Sequence, residues 1–217
     1  MRNKSKLIEY TNMRVEHLPE VVNLFKQCFP VSYPMWWMEM ITESKKYWKM
    51  VAIYQGKVVG VLWAIVGDLK QLTRQHYDTT MIRFFPPETL SCYILNIAVS
   101  NEFRRQKIAS HLLELLCKSF TSSTEPFKRV SMVFLHVMVD NEPAIQFYEK
   151  MNFKRFLLIP DYYEIGENRK KVDAWIYTIT FDEINPTIKR VEKNIFKKLL
   201  NTTVSIFSNL ISFCRTS

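Results

Sequence analysis

The sequence CYILNIAVS, residues 92–100, predicts a buried strand, and NEFRRQKIASHLLELLCKSF, residues 101–120, follows it with apolar residues at helical spacing. The same order then recurs. VSMVFLHVMV, residues 130–139, predicts a second buried strand, and NEPAIQFYEKM, residues 141–151, predicts a second helix. Two successive strand–helix units favour parallel pairing of their strands through a right-handed crossover. These segments are therefore expected to form the centre of a sheet.

Further strands and helices flank this centre on both sides. Residues 7–13 predict a first strand, and helical patterns follow in residues 17–29 and from Tyr33 onward. KMVAIYQ and KVVGVLWAIV predict an antiparallel hairpin with its tight turn at Gln55-Gly56-Lys57. FKRFLLI and VDAWIYTITF supply the last strands. The pattern predicts one α+β domain with α/β/α layers in residues 1–184, built on a mixed, mostly antiparallel sheet.

Residues 67–90 interrupt this regular order. They have mixed polarity, no clear period and a Pro86-Pro87 pair, and they exceed the usual connection length of about 4 to 6 residues. Such length is typical of a functional loop. We therefore expect a loop or flap between the hairpin and the central strand.

The composition limits the classes of protein to consider. The chain has 217 residues with 47% hydrophobic, 14% aromatic and 24% charged residues, which favours a packed globular fold over disorder. Only 4 glycines exclude a collagen-like sequence. No apolar run approaches the length of a membrane-spanning helix, and the N-terminus lacks the apolar region of a secretory signal. A cytosolic location is expected.

The cysteines give no sign of a disulfide framework or a metal site. They are widely spaced, without a CxxC pair and without a histidine or cysteine partner at zinc spacing. Free thiols in a reducing compartment and no bound metal are therefore expected. The cysteines are Cys28, Cys92, Cys117 and Cys214.

The positive charge is concentrated in the C-terminal tail, residues 185–217. The net charge is +9, of which residues 186–217 contribute +5, from six basic residues and one acidic residue. The remaining +4 is too small and too scattered to predict a nucleic-acid-binding surface. No nucleic-acid partner is expected.

The tail also contains an apolar repeat. NIFKKLLNTTV, residues 194–204, and SIFSNLISFCR, residues 205–215, place apolar residues at a spacing of 11, nearly three helical turns. The repeat predicts an amphipathic helix that lies on a membrane surface, with Lys197 and Lys198 among the basic residues near phospholipid headgroups. A helix docked on the domain, or a dimer contact, is the alternative. The sequence leaves open whether the protein is a monomer or a homodimer.

A basic turn connects the first central strand to its helix. Arg104-Arg105-Gln106-Lys107-Ile108-Ala109 leads into a helix N-terminus, where successive backbone N–H groups can bind an anion such as a pyrophosphate. A solvated basic turn is an equally simple interpretation of these residues alone.

The second strand–helix unit distinguishes between these interpretations. His136 to Asn141, the tyrosine-bearing helix AIQFYEK and Asn152-Phe153 resemble the second half of the GNAT fold of N-acetyltransferases, where they line acetyl-CoA. FPVSYP at residues 29–34, YILNIAV at 93–99 and PDYYEI at 160–165 are similar to N-terminal α-amine acetyltransferases. The resemblance covers roughly residues 5–182. It implies a GNAT fold with a central, splayed pair of parallel strands.

Within that group the sequence is similar to two types, one ribosome-partnered and one attached to the Golgi. FPVSY matches the ribosome-partnered type. The long segment at residues 67–90, the Pro-x-Tyr-Tyr motif and the extended tail are similar to the Golgi-attached type, which these larger features favour. The resemblance implies a location on the cytosolic face of Golgi membranes, with the cytoplasm as the alternative.

The resemblance also implies the residues of the site. Tyr93 and His136 correspond to a catalytic pair on neighbouring strands, where both reach an ordered water that takes the amine proton. Histidine suits this role because its charge changes near neutral pH. The acetyl-CoA-binding residues implied are Ile97, Ala98, Val99, Arg105, Gln106, Lys107, Ile108, Ala109, Ser110, Asn141, Tyr148, Glu149, Lys150 and Met151. The peptide-binding residues implied are Phe29, Pro30, Tyr33, Leu95, Tyr162 and Tyr163.

One position departs from the family pattern. Lys107 stands where the turn usually has its first glycine. We expect weakened or altered acetyl-CoA affinity, because a side chain hinders close backbone approach while its cation favours a diphosphate.

The expected activity is acetyl transfer from acetyl-CoA to proteins that begin with Met followed by a hydrophobic or Lys residue, including membrane proteins with cytosolic N-termini. Two alternatives remain. One is a lysine or histone acetyltransferase, which would act as a chromatin regulator. The other is a membrane-associated binding protein with weak turnover.

Overall fold

A seven-stranded mixed sheet forms the middle layer of the computed structural model, which describes residues 7–75, 80–121, 130–166 and 168–181. The strand order is β1-β2-β3-β4-β5-β7-β6. The strands are β1 (Glu9–Asn12), β2 (Tyr47–Tyr54), β3 (Lys57–Asp68), β4 (Leu90–Val99), β5 (Met132–Met138), β6 (Lys154–Ile165) and β7 (Lys170–Thr180). The α-helices are α1 (Leu18–Cys28), α2 (Met35–Glu43), α3 (Leu69–Gln75), α4 (Ile108–Thr121) and α5 (Glu142–Lys150).

The parallel pair predicted for the centre is confirmed, and it separates soon after it forms. β4 and β5 pair only at Ser91 with Met132, Cys92 with Val133 and Tyr93 with Phe134. Every other strand pair is antiparallel. Since β4 runs on to Val99, its edge towards β5 has no strand partner beyond Tyr93 in the described sheet. The divergence opens the sheet at its centre.

The predicted hairpin of β2 and β3 is also confirmed. Its turn consists of Gln55 and Gly56, whose φ angles of 50° and 75° are both positive. Two-residue hairpins favour this left-handed backbone because its twist matches that of the strands.

Separate apolar cores lie on the two faces of the sheet. On one face, α4 and α5 bury Leu112, Leu116 and Ile145 against the strands. On the other, α1 and α2 bury Phe25 and Ile41 around Trp63. The predicted α/β/α layering is therefore observed, and both helical layers fix the central strands.

Residues 67–90 are not the loop that their pattern predicted. β3 continues to Asp68, α3 follows directly, and a short 3-10 turn covers Met81–Arg83. Leu69, Leu72 and Met81 are at most 1% exposed and belong to the same core cluster as Tyr93. A helix of two turns presents too few apolar positions for a visible period, so the pattern missed it. The segment supports the strand that carries Tyr93.

The turn predicted at residues 104–109 leads into α4, which begins at Ile108. A 3-10 turn covers Asn101–Phe103, and an irregular loop separates it from α4. The predicted tail, residues 185–217, and the domain boundary at residue 184 lie outside the described residues. Among the described helices, none is long and apolar enough to cross a membrane.

Candidate active site

A cleft of about 330 Å³ opens where β4 and β5 separate. Its walls come from the α1–α2 connection, the two parted strands, α5 and β6. Aromatic side chains dominate the lining. Of the residues predicted for the site, the cleft is lined by Phe29, Pro30, Tyr33, Tyr93, Leu95, Ile97, His136, Asn141, Tyr148, Tyr162 and Tyr163.

Tyr93 and His136 meet in this cleft. Tyr93 stands at the last parallel pair, opposite Phe134, and His136 lies two residues further along β5, so both side chains project from the same face. The Tyr93 hydroxyl lies 3.1 Å from His136 Nδ1, within hydrogen-bond distance. Their rings pack edge to face, with centroids 5.6 Å apart. The splay thus brings a phenol and an imidazole together beside open space.

Tyr162 completes a three-ring cluster, Tyr93–His136–Tyr162, which we call the wedge. Its ring stacks on the His136 imidazole with centroids 4.1 Å apart and an interplanar angle of 6°. Its hydroxyl lies 3.4 Å from that of Tyr93. The sequence placed Tyr162 in the peptide-binding set. The structure also puts it in direct contact with both predicted catalytic residues.

The part of the cleft predicted to bind the peptide, which we call the peptide end, is lined by Tyr33 and Tyr163 together with Asn96, a residue that the sequence analysis missed. Asn96 donates a hydrogen bond from Nδ2 to the Tyr33 hydroxyl at 2.8 Å. Asn96 is 5% exposed, and its Oδ1 has no hydrogen-bond partner among the described residues. A lone asparagine inside the apolar strand YILNIAV was the signal available in the sequence.

Burial sets the ionisation of both phenols. It raises the pKa of Tyr33, while the hydrogen bond from Asn96 acts in the opposite direction. Burial also holds the pKa of Tyr163 well above its usual range, and the neighbouring Tyr162 adds to this. Both side chains therefore remain neutral hydrogen-bonding groups at physiological pH.

The basic turn, residues 104–109, forms what we call the diphosphate loop. Arg105 and Lys107 have φ angles of 62° and 64°, in the left-handed region that favours glycine. The loop therefore keeps a glycine-like backbone without glycine. The Lys107 carbonyl accepts the first bond of α4, from the His111 N–H at 2.9 Å. The side chains of Arg105 and Lys107 are exposed.

A glycine beneath the diphosphate loop lets α4 approach the sheet. A Cβ added at Gly60 would stand 2.8 Å from Ile108 Cγ2, closer than packed carbons come. Ile108 is 1% exposed, so its side chain belongs to the core. Because α4 begins at Ile108, the backbone N–H groups of Ile108, Ala109 and Ser110 lie at a helix N-terminus, where they can bind an anion.

These features fit acetyl-CoA. Within the described sheet, the edge of β4 that faces β5 has no strand partner beyond Tyr93, so the backbone of Ile97, Ala98 and Val99 is placed to pair with an extended amide chain. The diphosphate loop lies at the end of that strand. Asn141 lies at the start of α5, where its Oδ1 accepts from the Ala144 N–H at 3.3 Å.

The end of α5 fits the prediction less well. Tyr148 lines the cleft but is only 6% exposed and packs on Phe153. Glu149 accepts a hydrogen bond from the Tyr177 hydroxyl at 2.8 Å, within a network that includes Arg155. Glu149, Lys150 and Met151 are not part of the cleft lining. Their predicted contact with acetyl-CoA stays a prediction.

The described part of the chain holds no group of His, Cys, Asp and Glu residues arranged to bind a metal ion. Cys28, Cys92 and Cys117 are free thiols. Burial raises the pKa of the Cys117 thiol to about 11, which disfavours the reactive thiolate.

Comparison with known proteins agrees with the fold and the cleft. The sequence model of the acetyltransferase (GNAT) family matches residues 18–153, and the chain belongs to this family. It is an acetyltransferase that depends on acetyl-CoA.

Related proteins of known name narrow the class of acetyltransferase to which the chain is similar. N-alpha-acetyltransferase 60 of Xenopus tropicalis is 37% identical over 79% of this chain and 69% of its own length. The protein of that name from Danio rerio is 34% identical over 73% of this chain, which spans 63% of the relative. The enzyme from Drosophila melanogaster is 29% identical, and this chain spans 64% of it. The chain is thus a homologue of N-alpha-acetyltransferase 60, as the larger sequence features predicted.

Solved structures show the same fold. Arabidopsis thaliana NAA60 in complex with acetyl-CoA superposes with a TM-score of 0.68 at 18% identity, covering 81% of this chain and 99% of that one. Arabidopsis thaliana Naa50 with the bisubstrate analogue CoA-Ac-MVNAL gives a TM-score of 0.60 at 21% identity, covering 81% and 99%.

Proposed function

We propose that this protein transfers the acetyl group of acetyl-CoA to the free α-amine of other proteins, with the wedge as its catalytic centre. The contact between Tyr93 and His136, at the point where β4 and β5 part, carries the proposal. The relatives named N-alpha-acetyltransferase 60 support the choice of an α-amine over a lysine side chain.

The reaction requires removal of a proton from an ammonium group with a pKa near 8. Acetyl-CoA, when bound, would supply the acetyl group as an activated thioester, whose C–S bond would break as the amide forms and release coenzyme A as the thiol. His136 receives the amine proton through an ordered water, since a neutral imidazole nitrogen can act as a general base. Tyr93 orients His136 through the Nδ1 contact. The surrounding aromatic rings exclude bulk water, which would compete with the amine.

The substrates proposed are proteins that begin with Met followed by a hydrophobic or Lys residue, including membrane proteins with cytosolic N-termini. Phe29 and Leu95 offer apolar surface to the Met side chain, and the phenols of Tyr33 and Tyr163 offer hydrogen bonds to the peptide backbone. The bisubstrate analogue in the Naa50 structure, whose peptide part begins with Met, supports this choice.

Peptide acetylation with mass spectrometry tests the proposal. Peptides that begin Met-Lys and Met-Leu are incubated with protein and saturating acetyl-CoA, and the acetylated nitrogen is located by fragmentation. We expect the label on the α-amine. Label on internal lysines alone would support the lysine acetyltransferase alternative. Binding of acetyl-CoA by calorimetry without turnover would support the binding protein.

For the tail we propose attachment to the cytosolic face of Golgi membranes. The support is the apolar repeat of residues 194–215 and the basic residues beside it. Removal of residues 186–217 should release the protein from sedimenting anionic liposomes. Unchanged sedimentation would contradict the proposal and favour a tail docked on the domain.

A further inference from the structure

Asp173 joins the two strands that carry His136 and Tyr162. Its backbone carbonyl accepts a hydrogen bond from the Val139 N–H, at 3.1 Å, just beyond the end of β5. Its Oδ1 accepts a hydrogen bond from the Asp161 N–H on β6, at 2.9 Å. Asp173 of β7 therefore contacts Val139, three residues after His136, and Asp161, one residue before Tyr162.

The second contact lies at an irregularity in β6. Ile159 pairs with Ala174 and Tyr163 pairs with Val172, so three residues of β6 stand opposite Asp173 alone. Asp161 lies within this bulge at a φ of 56°, a left-handed conformation that aspartate adopts more readily than most residues with a side chain. The Asp173 carboxylate stabilises this segment by accepting its N–H.

The bulge determines where the Tyr162 ring lies. In a regular strand, neighbouring side chains project to opposite faces, yet Tyr162 and Tyr163 both line the cleft. The Tyr162 ring is then parallel to the His136 imidazole, with centroids 4.1 Å apart. Its hydroxyl also lies 3.4 Å from that of Tyr93.

We propose that Asp173 is a positioning residue for acetyl transfer, because its carboxylate holds the β6 bulge that keeps Tyr162 stacked on His136. The inference rests on the proposed function of the wedge. An imidazole on a strand end can rotate about two side-chain bonds. The Tyr162 ring covers one face of the imidazole, so it hinders this rotation and keeps Nδ1 directed at Tyr93.

Matched variants separate this role from a general loss of structure. Asp173→Ala and Asp173→Val both remove the carboxylate, and Val favours a strand. Asp173→Asn keeps an acceptor oxygen. We expect Ala and Val to lower kcat for a Met-Leu peptide roughly fivefold, as for one lost hydrogen bond, and to leave the KM for acetyl-CoA unchanged. Asn should stay within about twofold of the parent enzyme.

A double-mutant cycle tests the path through Tyr162. Tyr162→Leu removes the stacked ring, so Asp173→Ala added to it should cause no further loss of kcat. A full fivefold loss in that background would overturn the proposal, because Asp173 would then act independently of Tyr162. A parent-like kcat in both Asp173→Ala and Asp173→Val would overturn it too.

NMR of the full-length protein gives a readout that needs no activity. The stacked Tyr162 ring should shift the His136 imidazole protons upfield, and the His136→Gln variant identifies their resonances. We expect Asp173→Ala and Tyr162→Leu to move them downfield, whereas Asp173→Asn leaves them in place. Unmoved resonances in Asp173→Ala would overturn the inference. If the parent acetylated no peptide, the proposed function would fail while this test of the geometry still gave an answer.

Discussion

The wedge lines the cleft where β4 and β5 separate, whereas the diphosphate loop follows the end of β4 and contributes no residue to the cleft lining. The wedge depends on its side chains, and the loop depends on its backbone. In the wedge, the Tyr93 hydroxyl lies 3.1 Å from His136 Nδ1 and 3.4 Å from the Tyr162 hydroxyl, and the rings of His136 and Tyr162 stack on each other. In the diphosphate loop, the side chains of Arg105 and Lys107 are exposed, and the left-handed backbone is the distinctive feature.

The loop keeps a glycine-like backbone despite its departure from the family pattern. A proton-transfer centre needs particular functional groups at particular distances, so its side chains cannot be exchanged freely. An anion site built from N–H groups needs a backbone conformation, which several residues can adopt at some energetic cost. Lys107 in place of glycine retains the conformation and adds a cation.

The largest expected effect comes from removing the wedge's proton-transfer groups. Tyr93→Phe combined with His136→Gln should lower kcat about 100-fold or more, because general base catalysis contributes on that scale. Acetyl-CoA affinity, measured by calorimetry, should stay unchanged and serves as the control. A kcat within threefold of the parent would refute the assignment of the wedge.

A smaller effect is expected at the peptide end of the cleft. Tyr33→Phe and Tyr163→Phe keep each ring and remove the hydroxyl, so the KM for a Met-Leu peptide should rise about five- to tenfold, equivalent to about one hydrogen bond. Tyr10→Phe, on the face covered by α4, is the matched control and should behave like the parent. A rise in the KM for acetyl-CoA instead would indicate that these phenols bind acetyl-CoA and not the peptide.

The buried phenols should also make the protein sensitive to alkali. The folded-state pKa of Tyr163 lies above the ordinary value of about 10, so its stabilising contribution is complete below pH 10 and decreases as pH rises above it. The loss is at most about 1.4 kcal/mol per pH unit. Urea unfolding between pH 9 and 11 should show a shallower decline for Tyr163→Phe. An identical slope would contradict the buried position of this phenol.

The smallest effect is expected at the diphosphate loop. Lys107→Gly removes the left-handed strain of a side chain, about 1 kcal/mol, and should raise the free energy of unfolding by no more than that. Acetyl-CoA binding should weaken two- to threefold at low salt through loss of the cation, and the difference should vanish at high salt.

Lys107→Asn is the matched variant for this comparison. It loses the same charge, and asparagine accepts positive φ better than lysine does. Both variants should therefore bind acetyl-CoA alike. A loss beyond tenfold in either one would mean that the Lys107 side chain, and not the backbone, holds the diphosphate.

The central architecture could be predicted because its signals are local and repeated. Two strand–helix units fix the parallel pair, and Gln55-Gly56 fixes the hairpin. The segment at residues 67–90 could not be predicted, since its short helix is stabilised by burial of Leu69 and Leu72 and not by a periodic pattern. The turn before α4 was predicted, but its left-handed backbone was not, because Arg and Lys rarely signal positive φ angles.

Within the site, the resemblance identified Tyr93 and His136, but it did not identify Asn96, which contacts Tyr33, or Asp173, which contacts the segment that carries Tyr162. Asn96 reads as one polar residue in an apolar strand, and its partner Tyr33 lies 63 residues away in the chain. Asp173 reads as an ordinary strand residue. Contacts between residues so distant in sequence leave no local signature.

By itself, the amino-acid sequence determined the order of the strands and of the helices other than α3, the parallel centre and the chemical groups available for catalysis, because these follow from neighbouring residues and their periodicity. Only the tertiary structure decided that a phenol, an imidazole and a second phenol meet as one cluster. That outcome depends on where β4 and β5 part and on the two extra residues of the β6 bulge. Both are set by packing between distant segments, which no single stretch of the chain encodes.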